Sequence, residues 1–170
     1  MRRREFGFTI LTAGAFALAA AEAHSQTLDR SSLVRDIKGG GRQITPAQFK
    51  DYMAAFHRGD FDRLAARYYA PDVVFQGRGR NFDSAAKVIE FYKGVREHLT
   101  ETIAVKRAYF GDDGFSAELE TTLVAHKDWP DFFGGPMKVG DVKRSQNFVF
   151  YTVRDGRMVH IRSANFAQLT

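Results

Sequence analysis

The chain has 170 residues, no cysteine and a formal net charge of +5, with 26% charged and 14% aromatic residues. The lack of thiols excludes cysteine nucleophiles, thiolate metal sites and disulfides, so the fold must rest on its core. The positive charge is dispersed, without the basic run interleaved with aromatics that marks a nucleic-acid surface, so no nucleic-acid partner is expected.

Residues 1–26 open on Arg2, Arg3 and Arg4, continue through an apolar run from Phe8 to Ala21 and reach Ala21-Glu22-Ala23. A basic start, a short apolar core and a small-x-small site read as a cleaved export signal, with cleavage after Ala23 or after Gln26. The apolar run is shorter than the roughly 20 residues of a membrane-spanning helix, so no stable membrane anchor is expected. Arg3-Arg4-Glu5-Phe6 resembles a bacterial twin-arginine signal, and ordinary secretion is the alternative; both imply a periplasmic or secreted location. Residues 27–43 read as a flexible linker, with Gly39, Gly40 and Gly41 near its end. The remainder, residues 44–170, is the size of one domain.

The domain opens on Thr45-Pro46, an N-cap followed by proline at the first helical position. Phe49, Tyr52, Met53 and Phe56 then share one helical stripe. Gly59-Asp60 ends that helix, and Asp60 caps a short second one carrying Phe61, Leu64, Ala65 and Tyr68. Pro71 disfavours helix at Ala70, and Val73–Phe75 reads as a short strand. Gly77 to Arg80 is a turn. Asp83 or Ser84 caps a third helix, with Val88, Ile89, Tyr92 and Val95 on its apolar side.

The period then changes from helix to strand. Thr102–Phe110, Phe115–Ala125, Lys143–Val153 and Met158–Phe166 read as strands, with turns at Gly111–Gly114 and Arg154–Arg157. Ala117, Leu119, Thr121, Leu123 and Ala125 share one face of the second. A loop from His126 to about Gly140 carries Trp129, Phe132 and Phe133. Three helices followed by long antiparallel strands give an α+β domain. A cone-shaped, curved antiparallel sheet wrapped by three N-terminal helices leaves a natural ligand cavity.

From Thr45 to Phe166 this order resembles the nuclear transport factor 2-like (cystatin-like) superfamily, in its SnoaL-like and ketosteroid isomerase-like branch. The carrying segments are Tyr52–Asp60, Tyr69–Phe75, the helix ending near Phe91-Tyr92, Gly135-Pro136 with Gly140, and Tyr151–Val159. The resemblance implies a homodimer through the sheet and a small hydrophobic molecule in the cone. It puts Tyr52 where isomerases hold an oxyanion-donating tyrosine. It also implies that the usual carboxylate positions are filled by Gly77, Gln146 and Ser163, none of which is a proton-transfer base at neutral pH.

His126, at the strand end bordering the expected mouth, is the substitute candidate for proton transfer. Phe56, Phe75, Trp129, Gln146, Phe148 and Ser163 are the expected ligand-contacting residues, with Phe150 adding to an apolar lining. His160 and Arg162 are expected on the outer face, although a one-residue slip would turn Asn147 and Arg162 inward. No histidine pair has the spacing of a zinc helix, so neither metal nor cofactor is expected. Two functions stay open. One is an exported isomerase-, dehydratase- or cyclase-type enzyme without the usual carboxylate. The other is a non-catalytic ligand-binding or dimeric assembly domain.

Overall fold

The computed structural model describes residues 43–77 and 80–169; the expected signal and nearly all of the linker lie outside them. Helix α1 spans Pro46–Arg58, α2 Phe61–Arg67 and α3 Ala85–Arg96; the strands are β1 Tyr69–Gly77, β2 Arg80–Phe82, β3 Leu99–Gly111, β4 Gly114–Ala125, β5 Val142–Arg154 and β6 Arg157–Leu169. Thr45 and Gln48 form a reciprocal capping box at the start of α1, and Gly59 ends it with a left-handed φ of 73°. Asp60 caps α2, and Ser84 rather than Asp83 caps α3.

The six strands form one sheet in the order β2-β1-β6-β5-β4-β3. It is mixed rather than antiparallel: β1 runs parallel to β6, while the other neighbours are antiparallel. Strands β1 and β6 lie side by side, and a parallel pair needs a long connection; the intervening chain supplies it. Irregularities in register fall between Val105 and Arg107, Gln146 and Asn147, and Thr152 and Val153. Bulges of this kind increase local bend, and the sheet curves without closing. The three helices cover its concave face, as α1 and α3 contact β3 and α2 and α3 contact β1.

The buried core joins Phe49, Tyr52, Met53 and Phe56 of α1 with Val88 and Ile89 of α3 and with the inward residues of β4, β5 and β6. Full burial of each large apolar side chain favours the folded state by roughly 1.5–3 kcal/mol. A smaller cluster under the loop after β4 holds Val95, Leu99, Ala125, Phe132 and Met137.

The pairing of β5 corrects one expectation. Ala117 faces Val149, Leu119 faces Asn147 and Thr121 faces Ser145. Asn147, Val149 and Tyr151 therefore share the concave face, and Gln146, Phe148 and Phe150 lie on the outer one. The observed register is the slipped one for β5, whereas β6 keeps Ile161 and Ser163 inward as expected. Val149 pairs with Ser163 and Tyr151 with Ile161, so the two strands turn these residues to the same face.

Candidate functional site

Between the helices and the concave sheet lies a cavity of about 130 Å³. Helix α1 turns Tyr52, Met53 and Phe56 into it, one stripe at helical spacing. Helix α3 adds Phe91, Tyr92 and Val95, and the loop after β4 adds Phe132 and Phe133. From the sheet come Phe75, Ile103, Leu119, Val149, Tyr151 and Ile161. An apolar lining with few polar groups suits a small organic ligand.

The polar groups fall into three sets. The Tyr52 and Tyr69 hydroxyls share one hydrogen bond of 2.9 Å in the buried core. Two phenols sharing one bond leave a second phenolic proton, which no acceptor among the described residues takes. Burial pushes both hydroxyls well above their ordinary titration range, and Glu101 adds to the effect at Tyr52. Both stay protonated at neutral pH and serve as donors. Behind Tyr52, Tyr68 packs edge-on with ring centroids 5.5 Å apart. The Tyr68 hydroxyl donates to Asp51, which also takes both Arg63 bonds, at 2.7 and 2.8 Å.

The second set lies on the sheet. Asn147 donates to Thr121 Oγ1 and Ser145 Oγ, both at 3.1 Å, and accepts from Asn165 at 3.1 Å. Thr121 and Ser145 are the two buried polar residues of the described structure. Their hydrogen bonds keep this strip fixed, because an unpaired buried polar group costs roughly 1–3 kcal/mol.

The third set is charged. Glu101, on β3 opposite Leu123, lines the cavity, and so does Arg80 of β2. The cavity therefore contains a carboxylate, at a position other than Gly77, Gln146 and Ser163. Glu101 stands just before the point where the expected strand began. Continuing the β3 alternation back through Ile103 to Glu101 and Leu99 is the signal that finds it.

Of the residues singled out by sequence, Tyr52, Phe56, Phe75 and Ser163 line the cavity. The others lie elsewhere. His126 is exposed, and its Nε2 bonds the Arg96 carbonyl at 3.2 Å, satisfying the end of α3. Trp129 stacks on His98 at 4.7 Å and packs on Phe132 at 5.0 Å, so it anchors the loop behind the lining residues. Gln146 bonds Glu118 on the outer face, and Phe148 meets Phe166 there at 5.2 Å. His160 bonds Gln76, also across the outer face.

Residues 49–161 match the family model described as the SnoaL-like domain. No curated protein matches the chain. Solved structures of similar fold include a proposed polyketide cyclase from Xanthomonas campestris pv. campestris, at 23% identity and TM-score 0.61, covering 68% of this chain and 85% of that one. Another is a proposed polyketide cyclase from Pseudomonas putida KT2440, at 20% identity and TM-score 0.61, covering 76% and 94%. An epoxide hydrolase of the LEH-like type from M. tuberculosis is similar at 13% identity and TM-score 0.56, covering 69% and 79%. At these identities the likeness establishes the fold alone.

Proposed function

Because the chain belongs to the SnoaL-like domain family, we propose that its cavity binds a small hydrophobic, carbonyl-bearing molecule and moves a proton on it, as an isomerase, dehydratase or cyclase would. The observation that carries this reading is one carboxylate, Glu101, lining the same apolar cavity as the Tyr52–Tyr69 hydroxyl pair. Glu101 takes a proton from the carbon next to the carbonyl. The phenolic proton left over from the Tyr52–Tyr69 bond stabilises the oxygen as it gains enolate charge. The proton then returns to the same or a conjugated carbon, or the enolate carbon attacks a second carbonyl of the molecule. His126 has no part in this scheme.

The test uses 2-tetralone in D₂O, with deuterium at its α-carbon followed by NMR. The protein is expected to exchange it faster than buffer and to be inhibited by 2-naphthol, a flat mimic of the enolate. Exchange no faster than buffer, with binding intact, would move the domain to the non-catalytic class.

The outer sheet face supports a second, compatible reading. Phe150 and Phe166 are 54% and 68% exposed, and Tyr109 is 67% exposed. Apolar rings gathered on one sheet face favour a partner, and the domain pairs there with a second copy of itself. Phe150→Ser is expected to shift the mass measured by light scattering from dimer to monomer; a monomeric wild type would refute the pairing. The basic start and short apolar run of residues 1–26 support action in the periplasm or outside the cell. Fractionation should find a protein with Arg3 and Arg4 changed to lysine retained in the cytoplasm; unaltered export would argue for ordinary secretion.

A further inference from the structure

The cavity carries charge of opposite sign on the two outermost strands of the sheet. Arg80 stands on β2 and Glu101 on β3, the first and last strands in the order β2-β1-β6-β5-β4-β3. The Arg80 guanidinium lies over the Phe133 ring, 5.0 Å from its centroid, and so is held beside an aromatic residue that also lines the cavity. No carboxylate among the described residues pairs with it. The other ion pairs show that acids here do find basic partners: Asp51 with Arg63, Glu120 with Arg144, Asp83 with Lys87.

A guanidinium resting on an aromatic face still presents its edge N–H groups, in a fork that matches two oxygens of a carboxylate. The rings of Phe75, Phe91 and Phe133 line the same cavity and suit a flat apolar body. We propose that Arg80 is a specificity-determining residue that selects anionic ligands, namely an aromatic or alicyclic molecule bearing a carboxylate at the end away from the reacting carbonyl. This deepens, and rests on, the reading of the cavity as a small-molecule site. The carboxylate docks at the β2 edge, which turns the other end of the molecule toward the β3 edge and Glu101. The guanidinium fork therefore sets orientation as well as affinity.

The experiment is calorimetric titration with two probes of equal size, naphthalene-2-carboxylate and its neutral amide. The wild-type protein is expected to bind the acid roughly tenfold more tightly than the amide, a preference that shrinks as salt screens the exposed guanidinium. Arg80→Gln is expected to bring the ratio near one by weakening the acid more than the amide, with an unchanged circular dichroism spectrum and melting midpoint showing that the variant is folded. Arg80→Lys is expected to keep part of the preference, since it retains charge but loses the fork. If wild type binds acid and amide equally, or if Arg80→Gln keeps the full preference, the assignment of Arg80 is overturned while the cavity reading stands. If neither probe binds the wild type, the cavity reading falls and the assignment falls with it.

Discussion

Tyr52 and Tyr69 share one hydrogen bond in the core, and their value to the site depends on the proton left over. Replacing Tyr52 with phenylalanine removes one hydroxyl and leaves Tyr69 without its partner. Binding of 2-naphthol is expected to weaken by roughly 10- to 100-fold, the range for one buried hydrogen bond to a developing oxyanion. Binding of naphthalene, which has no oxygen, should barely change; equal losses for both ligands would reduce Tyr52 to a packing residue. Tyr52 was legible from sequence because helical spacing fixes its face once Phe49 and Phe56 are seen. Gln146 and Phe148 were not. The run Gln146-Asn147-Phe148-Val149-Phe150-Tyr151 offers a polar residue followed by bulky ones on both faces, so alternation alone cannot choose between them. The choice is made by β4, whose small and apolar residues oppose Asn147, Val149 and Tyr151.

At the scale of elements, the loop from His126 to Asp141 shows how one side chain sets the edge of the site. Lys143 Nζ donates to the Gly134 and Gly135 carbonyls at 2.7 and 2.8 Å and lies 5.6 Å from the centre of the Phe132 ring. It holds the turn next to Phe132 and Phe133, the two loop residues that line the cavity. Lys143→Met keeps the aliphatic stem and removes the donor. Amide exchange at residues 132–137 is expected to quicken, and ligand affinity to fall a few-fold, with helix exchange unchanged; unaltered loop exchange would show that the cluster around Trp129 and Met137 suffices. The three helices were readable because their caps are chemical: Thr45 with Gln48, Asp60 and Ser84 each accept from a backbone N–H. Strand β2 was missed because three residues are too few to show a period. β1 was read short because Pro71 hides an extended stretch that pairs at Tyr69 with Met158 and resumes at Val74 with His160 only after a register irregularity.

At the scale of the whole molecule, buried phenols among the described residues shift in one direction. Tyr52, Tyr69, Tyr92 and Tyr151 all have hydroxyls held above their ordinary range, with burial the largest cause in each. The folded state keeps these protons after the unfolded chain has begun to lose them at about pH 10. Their contribution is therefore complete below that pH and declines as pH rises above it, by about 1.4 kcal/mol per unit for each tyrosine. Thermal unfolding followed from pH 8 to 11 should show a flat midpoint and then a steep fall; a flat profile throughout would mean that the phenols ionise freely in the fold. The same apolar surroundings that keep the phenols protonated hold a carboxylate that sequence reading did not find. Its identification turns on one measurement: deuterium exchange into saturating 2-tetralone by wild type and Glu101→Gln, with the dissociation constant of each determined alongside. A general base gives a loss of roughly 10²- to 10⁴-fold in exchange rate with affinity nearly unchanged. Equal exchange by the two proteins would contradict Glu101 as the proton-moving group.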